Sequence, residues 1–302
     1  MALNRALFTK QLNLGLNTVF GMEYDRYPEQ WRALYSTEQS MKAFEEDVQM
    51  IGFGAAPTKA EGAMINYDSG REGFVSRYVH ETVALAFAIT EEAEEDGLYG
   101  SLGAKYARAL ARSMQQTKEI KGANIFNNAT TTSIGGDGEA LLDPLHPLGG
   151  GGTASNILGT PADLSETSLE TLLVQISTAV DDRSIPVALS GRKLAVPPQL
   201  VFIAERILKS NLRPGTADND INALRNMGMI PEGVVVNQRF TDPDQYFILT
   251  DCPDGMKHFL RSPIKKAVEG DFETGNLRYK VRERYSFGFT DWRGVYGAEG
   301  AA

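Results

Sequence analysis

The chain has 302 residues, 42% hydrophobic and 23% charged, the ordinary make-up of a folded protein with one large or two modest domains. Its net charge of -9 argues against tight duplex DNA binding, which needs Lys and Arg to displace counterions, but does not exclude a protein that encloses DNA without adhering to it. No run approaches the ~20 apolar residues of a membrane span, the first residues lack a secretory signal's apolar core, and a single cysteine, Cys252, excludes an intrachain disulfide and suits a reducing cytoplasm.

Residues 1–55 read as an extended arm with one helix. Thr37 is placed to cap a helix through Met50, with Met41, Phe44, Val48 and Ile51 on one face. The Gly52-Phe53-Gly54-Ala55-Ala56-Pro57 stretch ends it. A short strand is expected over 63–67, then turn chemistry from Asp68 to Gly73. A long strand follows over 74–90, charged in its first half (Arg77, Glu81) and apolar in its second (Val83, Leu85, Phe87, Ile89). Its tip is expected to project and its base to be buried. So long and polar a hairpin is marginal alone in water, and the expected support is another copy of the chain. The sequence therefore reads first as an assembly protein. Thr90 opens an acidic turn over 91–95, where carboxylates favour a helix N-terminus.

A long helix is predicted over 101–127, with Leu102, Tyr106, Leu110, Met114, Thr117, Ile120 and Asn124 recurring three or four apart. At 1.5 Å per residue it spans roughly 40 Å, about twice the usual length. A polar Gly- and Thr-rich loop runs to Gly152. Thr167-Ser168-Leu169-Glu170 reads as a capping box ahead of Leu172, Leu173, Ile176 and Val180, with the helix ending near Asp181-Asp182. Residues 193–196 predict a buried strand stopped by Pro197-Pro198, and 199–210 a helix. Short strands are expected at 233–237, 245–250 and 258–261. Residues 277–289 alternate, with Tyr279, Val281 and Tyr285 on one face and Arg278, Lys280, Arg282 and Arg284 on the other. That basic face suits nucleic acid or intersubunit ion pairs equally.

Patterns that carry chemistry are missing. His80, His146 and His258 share no metal-ligand spacing with one another or with Cys252. Gly149 to Gly152 lacks the Gly-Lys-Ser/Thr ending of a phosphate loop, and there is no Gly-x-Ser-x-Gly elbow. Cys252 reads as a small packed residue. No catalytic residue, cofactor or metal is assigned, and the chain is expected not to be an enzyme. An α/β enzyme built on the Gly149–Gly152 loop and Asp137 is the alternative of a different class.

The order of features resembles the major capsid protein of tailed bacteriophages, the Hong Kong 97 fold, and is closest to the Mu-like head-protein group. Segments that carry the resemblance are Lys59-Ala60-Glu61-Gly62, Tyr78-Val79-His80-Glu81, Phe87-Ala88-Ile89-Thr90 with Glu91-Glu92, and Asp96-Gly97-Leu98-Tyr99-Gly100. Further on come Ala123-Asn124-Ile125-Phe126-Asn127-Asn128-Ala129, Asp137-Gly138 with Leu141 to Pro147, Leu194-Ala195-Val196-Pro197-Pro198 and Asp291-Trp292-Arg293-Gly294-Val295.

The resemblance implies an α+β capsid fold. An N-terminal arm would cover 1–56 and an extended loop 57–85. A peripheral domain would span 86–184 and 261–302, with a spine helix at about 98–128, and an axial domain 185–260. It implies a structural subunit of the virion that self-assembles, as pentamers and hexamers in the host cytoplasm, into an icosahedral head around phage double-stranded DNA. Separate scaffold, portal and decoration proteins are the implied partners, DNA is enclosed without specific binding, and no membrane is involved. The alternative is the shell subunit of an encapsulin-type nanocompartment. Lys59, Arg71, Glu72, Arg77, His80 and Glu81 are the candidates for subunit contact. No covalent crosslink is expected, and a chain that opens directly at the arm implies a separate scaffold or none.

Overall fold

The computed structural model describes residues 5–90, 92, 99–212, 221–271 and 275–301. In chain order these form α1 (Arg5–Tyr24), β1 (Ser36–Gln39), β2 (Phe44–Ile51), β3 (Arg71–Val79), β4 (Glu81–Ile89) and α2 (Tyr99–Asn127). Two short strands, β5 (His146–Pro147) and β6 (Thr153–Ala154), precede α3 (Glu166–Ser177), β7 (Gly191–Val196), α4 (Val201–Lys209) and α5 (Ala223–Met227). β8 (Val234–Val236), β9 (Tyr246–Thr250), β10 (Met256–Gly270), β11 (Leu277–Phe289) and β12 (Val295–Ala298) complete the chain.

The alternation along 277–289 builds β11, the inner strand of a four-stranded sheet ordered β1-β10-β11-β4. Tyr279, Val281, Glu283 and Tyr285 are buried, while Arg278, Lys280 and Arg282 face out. The apolar face rests on Leu16 and Phe20 of α1 and on Ala107, Leu110, Ala111 and Met114 of α2. The alanines let the long helix come close, and burying the larger side chains contributes about 1.5–3 kcal/mol each.

A second four-stranded sheet is ordered β12-β9-β7-β8. Leu194, Ala195 and Val196 of β7 and Tyr246, Phe247 and Ile248 of β9 are all buried, the continuous apolar run of strands covered on both faces. The larger core gathers this sheet, α3, α4, the end of α2 and the Trp31–Tyr35 region into one body.

Helix α2 has 29 residues, about 43 Å. Its buried stripe differs from the expected one. Leu110 and Met114 are buried, but Tyr106 and Ile120 are 46% and 41% exposed, and Lys118 and Glu119 turn inward. Buried partners for those charges outweigh the helical spacing of the apolar residues. In α3 the N-cap is Ser165, two residues before the expected Thr167. Its hydroxyl accepts from the Ser168 N–H at 3.2 Å, and the Ser168 hydroxyl accepts from the Ser165 N–H at 2.9 Å. The helix ends at Ser177 rather than near Asp181-Asp182.

The N-terminal third corrects the sequence reading most. Residues 37–50 are not a helix: β1 adds in parallel to β10, and β2 pairs antiparallel with β3. Both partners are distant in sequence, so tertiary pairing overrides the local helical spacing. Met41, placed on the apolar face of the expected helix, is 86% exposed. The helix of this region is α1, upstream. The strand expected at 63–67 is absent; those residues lie in an exposed coil over 52–70. The strand expected over 74–90 is two strands. β3 turns to β2, β4 turns to β11, and His80 stands between them. The expected burial is also reversed in part. β4, taken as the buried base, is an edge strand with Leu85 45% exposed and Ile89 buried, whereas Ser76 and Tyr78 of β3 are buried. The acidic turn expected over 91–95 lies outside the described residues except for Glu92.

Candidate functional site

The β2–β3 ribbon carries the 52–70 coil as a loop at its outer end. Phe53, Met64, Ile65 and Tyr67 on this loop are 65%, 89%, 67% and 93% exposed. Large apolar side chains that far into water gain nothing within the subunit. The loop is nevertheless tethered at its root. The Asp68 carboxylate accepts from the Gly54 N–H at 2.7 Å and from Arg183 at 2.7 Å, and Arg183 also donates to the Ser69 carbonyl at 2.7 Å. The Gly54 N–H first, and Arg183 with it, hold the Asp68 carboxyl below its ordinary range. Arg71 donates to the Gly149 carbonyl.

The six contact candidates separate into two groups. Lys59 and Glu72 are exposed, on the loop and at the start of β3, and neither has an ion-pair partner among the described residues. Arg71, Arg77, His80 and Glu81 are engaged within the subunit. Arg77 lies 4.0 Å over the Phe44 ring and 3.8 Å from Glu46, and Glu81 pairs with Lys121 of α2. His80 is buried, its ring nitrogens 2.8 Å from the Ser40 hydroxyl and 3.0 Å from the Ser286 hydroxyl. Burial first, then the Arg284 charge, lowers its pKa, so the neutral ring is favoured. His80 thus pins the joint between β3 and β4 and offers no outward contact.

Tyr78 escaped sequence reasoning. Its hydroxyl lies 2.7 Å from Thr290 Oγ1 and its ring packs edge-on to Phe259 at 4.8 Å, fixing the ribbon to its own subunit. The only signal was its place in the register opposite Arg77 and Val79.

The chemistry that the sequence left open is taken up in structure. His146 Nδ1 lies 2.7 Å from Asp137 Oδ2, the first two members of a hydrolytic relay. Its other nitrogen is 3.2 Å from Asn156 Oδ1, its ring stacks on Trp292 at 4.4 Å, and it is wholly buried. Among the described residues both ring nitrogens are taken by Asp137 and Asn156, and no hydroxyl or thiol is paired with the ring. The Gly149 N–H donates to Asp182 Oδ1 at 3.0 Å, so a carboxylate already occupies the donor that a phosphate would need. Burial pushes the Cys252 thiol up to about 12, far from a reactive thiolate. Among the described residues no cluster of His, Cys, Asp and Glu is arranged to hold a metal, and no helix is long and apolar enough to cross a membrane.

Residues 74–298 match the family model of the phage capsid protein. The chain belongs to the phage capsid protein family. This capsid protein is similar in fold to the virus-like particle from Pyrococcus furiosus, at 12% identity and a TM-score of 0.55 over 94% of this chain and 98% of that one. It is similar also to the capsid of the cyanophage P-SCSP1u (10% identity, TM-score 0.56, 89% of this chain and 86% of that one). Mycobacterium phage Adephagia gives 11% identity and a TM-score of 0.55 over 91% of both chains. No curated protein sequence matches it. The fold is that of Hong Kong 97-like capsid subunits, and the capsid protein is a structural component of the virion that assembles into oligomeric shells. The match is to phage capsid proteins at large and does not reach the Mu-like group.

Proposed function

We propose that the capsid protein closes an icosahedral head around double-stranded DNA by laying its 52–70 loop over a neighbouring copy. The observation behind this is the exposure of Phe53, Met64, Ile65 and Tyr67 on a loop whose root is fastened by Asp68 and Arg183. A fastened loop loses little entropy when it docks, so modest contacts suffice when many copies act together.

In this reading 1–56 is the N-terminal arm and 57–85 the extended loop. Residues 86–184 and 261–302 form the peripheral domain around α2, and 185–260 the axial domain that meets its copies in pentamers and hexamers. Lys59 and Glu72 supply adjustable polar contacts, while Arg71, Arg77 and Glu81 brace the ribbon within the subunit and His80 holds its joint with β4. The subunit has no catalytic task and carries no cofactor. Separate scaffold, portal and decoration proteins complete the head, which is built in the host cytoplasm.

Electron microscopy of the purified chain is expected to show closed shells or capsomers. Replacing 56–67 by a short Gly-Ser linker retains Gly54 and Asp68 and is expected to leave a folded subunit that closes no shells. Stable monomers of the unaltered chain at high concentration, in low and high salt alike, would overturn the reading. Shells that co-purify with a cargo protein instead of DNA would make the chain a nanocompartment subunit.

A further inference from the structure

The outward face of the first sheet is unlike the rest of this acidic chain. Strand registers place Lys265 opposite Arg282, Lys280 opposite Ala86, Arg282 opposite Ala84 and Arg284 opposite Thr82. Lys265, Lys280 and Arg282 are exposed and have no carboxylate partner among the described residues. Arg284 spends its donors on the carbonyls of His80 and Ala43, at 3.4 and 3.5 Å, which leaves its charge uncompensated. Among the described residues the carboxylates of this face gather at its far end, where Arg278 pairs with Asp271 and stands opposite the exposed Glu269. Like charges directly opposite on neighbouring strands are destabilising. The fold keeps such a pair, Lys265 and Arg282, on a chain of net charge -9.

We propose that this face is a sequence-independent binding surface for the phosphate backbone of nucleic acid, held by Lys265, Lys280, Arg282 and Arg284. Three features select phosphates over a protein partner. Alternate residues of one strand stand about 6.7 Å apart, so Lys280, Arg282 and Arg284 form a row that tracks successive phosphates. Beside that row Ala84, Ala86 and Ala88 of the β4 edge are small and exposed, so a rod-like duplex can approach closely. Among the described residues the face also lacks an aromatic or large aliphatic anchor of the kind that dominates protein interfaces, whereas nucleic-acid interfaces are polar and strongly positive.

Nucleic acid meets this face in the particle only if the chain is a head subunit. Binding is therefore measured on unassembled subunit, where failure to build shells has no bearing on the outcome. The probe is a mixed-sequence duplex DNA fragment, with affinity read by fluorescence anisotropy across a salt series. Neutralising four phosphates gives a log–log salt slope of about -3.6, or roughly a 10²-fold loss between 50 and 200 mM salt. Lys280→Glu with Arg282→Glu is expected to weaken binding at least 10-fold and to halve that slope or more. Arg206→Glu with Lys209→Glu makes the same charge change on α4, where both residues are exposed, and is expected to change affinity less than 3-fold. If the double reversal lowers Tm, Lys280→Gln and Arg282→Gln, which only remove charge, carry the same test. The proposal is overturned by absence of binding at low salt, or by equal losses in the two double variants. It is overturned also if the sheet variants bind DNA normally but fail to form capsomers, since the face would then take a second copy of the chain.

Discussion

Lys118 of α2 and Glu283 of β11 meet at 2.6 Å with side chains only 6% and 4% exposed. The ammonium also lies over the rings of Trp31, at 4.8 Å, and Tyr285, at 5.2 Å. Lys118→Ala strands a buried carboxylate, so it is expected to cost about 3–5 kcal/mol in denaturant unfolding, and Lys118→Met with Glu283→Leu much less. His258 stands in the same cluster, fully buried against Trp31 and Phe287, with neither ring nitrogen partnered among the described residues. Burial first, then Lys118 and Arg32, pushes its pKa from 6.5 down to about 3. The unfolded chain takes up that proton below pH 6.5 and the folded chain does not. Stability is therefore full above 6.5 and is lost as pH falls toward 3, by up to about 1.4 kcal/mol per pH unit. His258→Phe keeps the aromatic packing and is expected to flatten that slope in urea titrations between pH 6.5 and 4. An unchanged slope would assign the acid response to other groups. None of this was legible in the sequence, where Lys118 is one charge on a polar helix and its partner lies 165 positions away.

At the scale of elements, α2, β7, α4 and β11 were legible because each carries its own signal: helical spacing, an apolar run closed by Pro197-Pro198, strict alternation. β1 and β2 were not, because the groups that make them strands sit on β10 and β3. Ser165→Ala removes the α3 cap and is expected to lower stability by about 1 kcal/mol. A Cβ on Gly136 would lie 2.7 Å from the Val75 carbonyl carbon and oxygen. Gly136→Ala must then push the loop after α2 away from β3, at a cost of about 1–3 kcal/mol. Gly159, with nothing within 4 Å of a new Cβ, is the control, and Gly159→Ala should leave Tm unchanged.

For the whole molecule, the sequence pointed to a projecting segment that needs a neighbour, but for an incomplete reason. It read the polarity of the whole 63–90 hairpin as the want of support, yet Tyr78 and Thr290 fasten its second strand to its own subunit. The unsupported part is the 52–70 loop, whose 63–67 stretch has the look of a strand in sequence but finds no pairing partner among the described residues. Ile65→Ser with Tyr67→Ser removes two of them from positions 67% and 93% exposed. Subunit stability should stay within about 0.5 kcal/mol in denaturant unfolding, while shell yield by sedimentation falls. Equal losses in both would place the loop inside the subunit's own core.

Synthesis order gives the sheet topology a further meaning. β11 lies between β10 and β4, and β12 is the outer strand beside β9. The first sheet lacks an inner strand until residues 277–289 are made, and the second an edge strand until 295–298 follow. Until then the apolar stripe of α2 lacks the cover of Tyr279 and Val281, and exposed apolar surface makes partly made chains prone to aggregate. The exposed 52–70 loop is translated long before that first sheet is whole. The topology thus places the completion of the subunit's first sheet near the end of its synthesis.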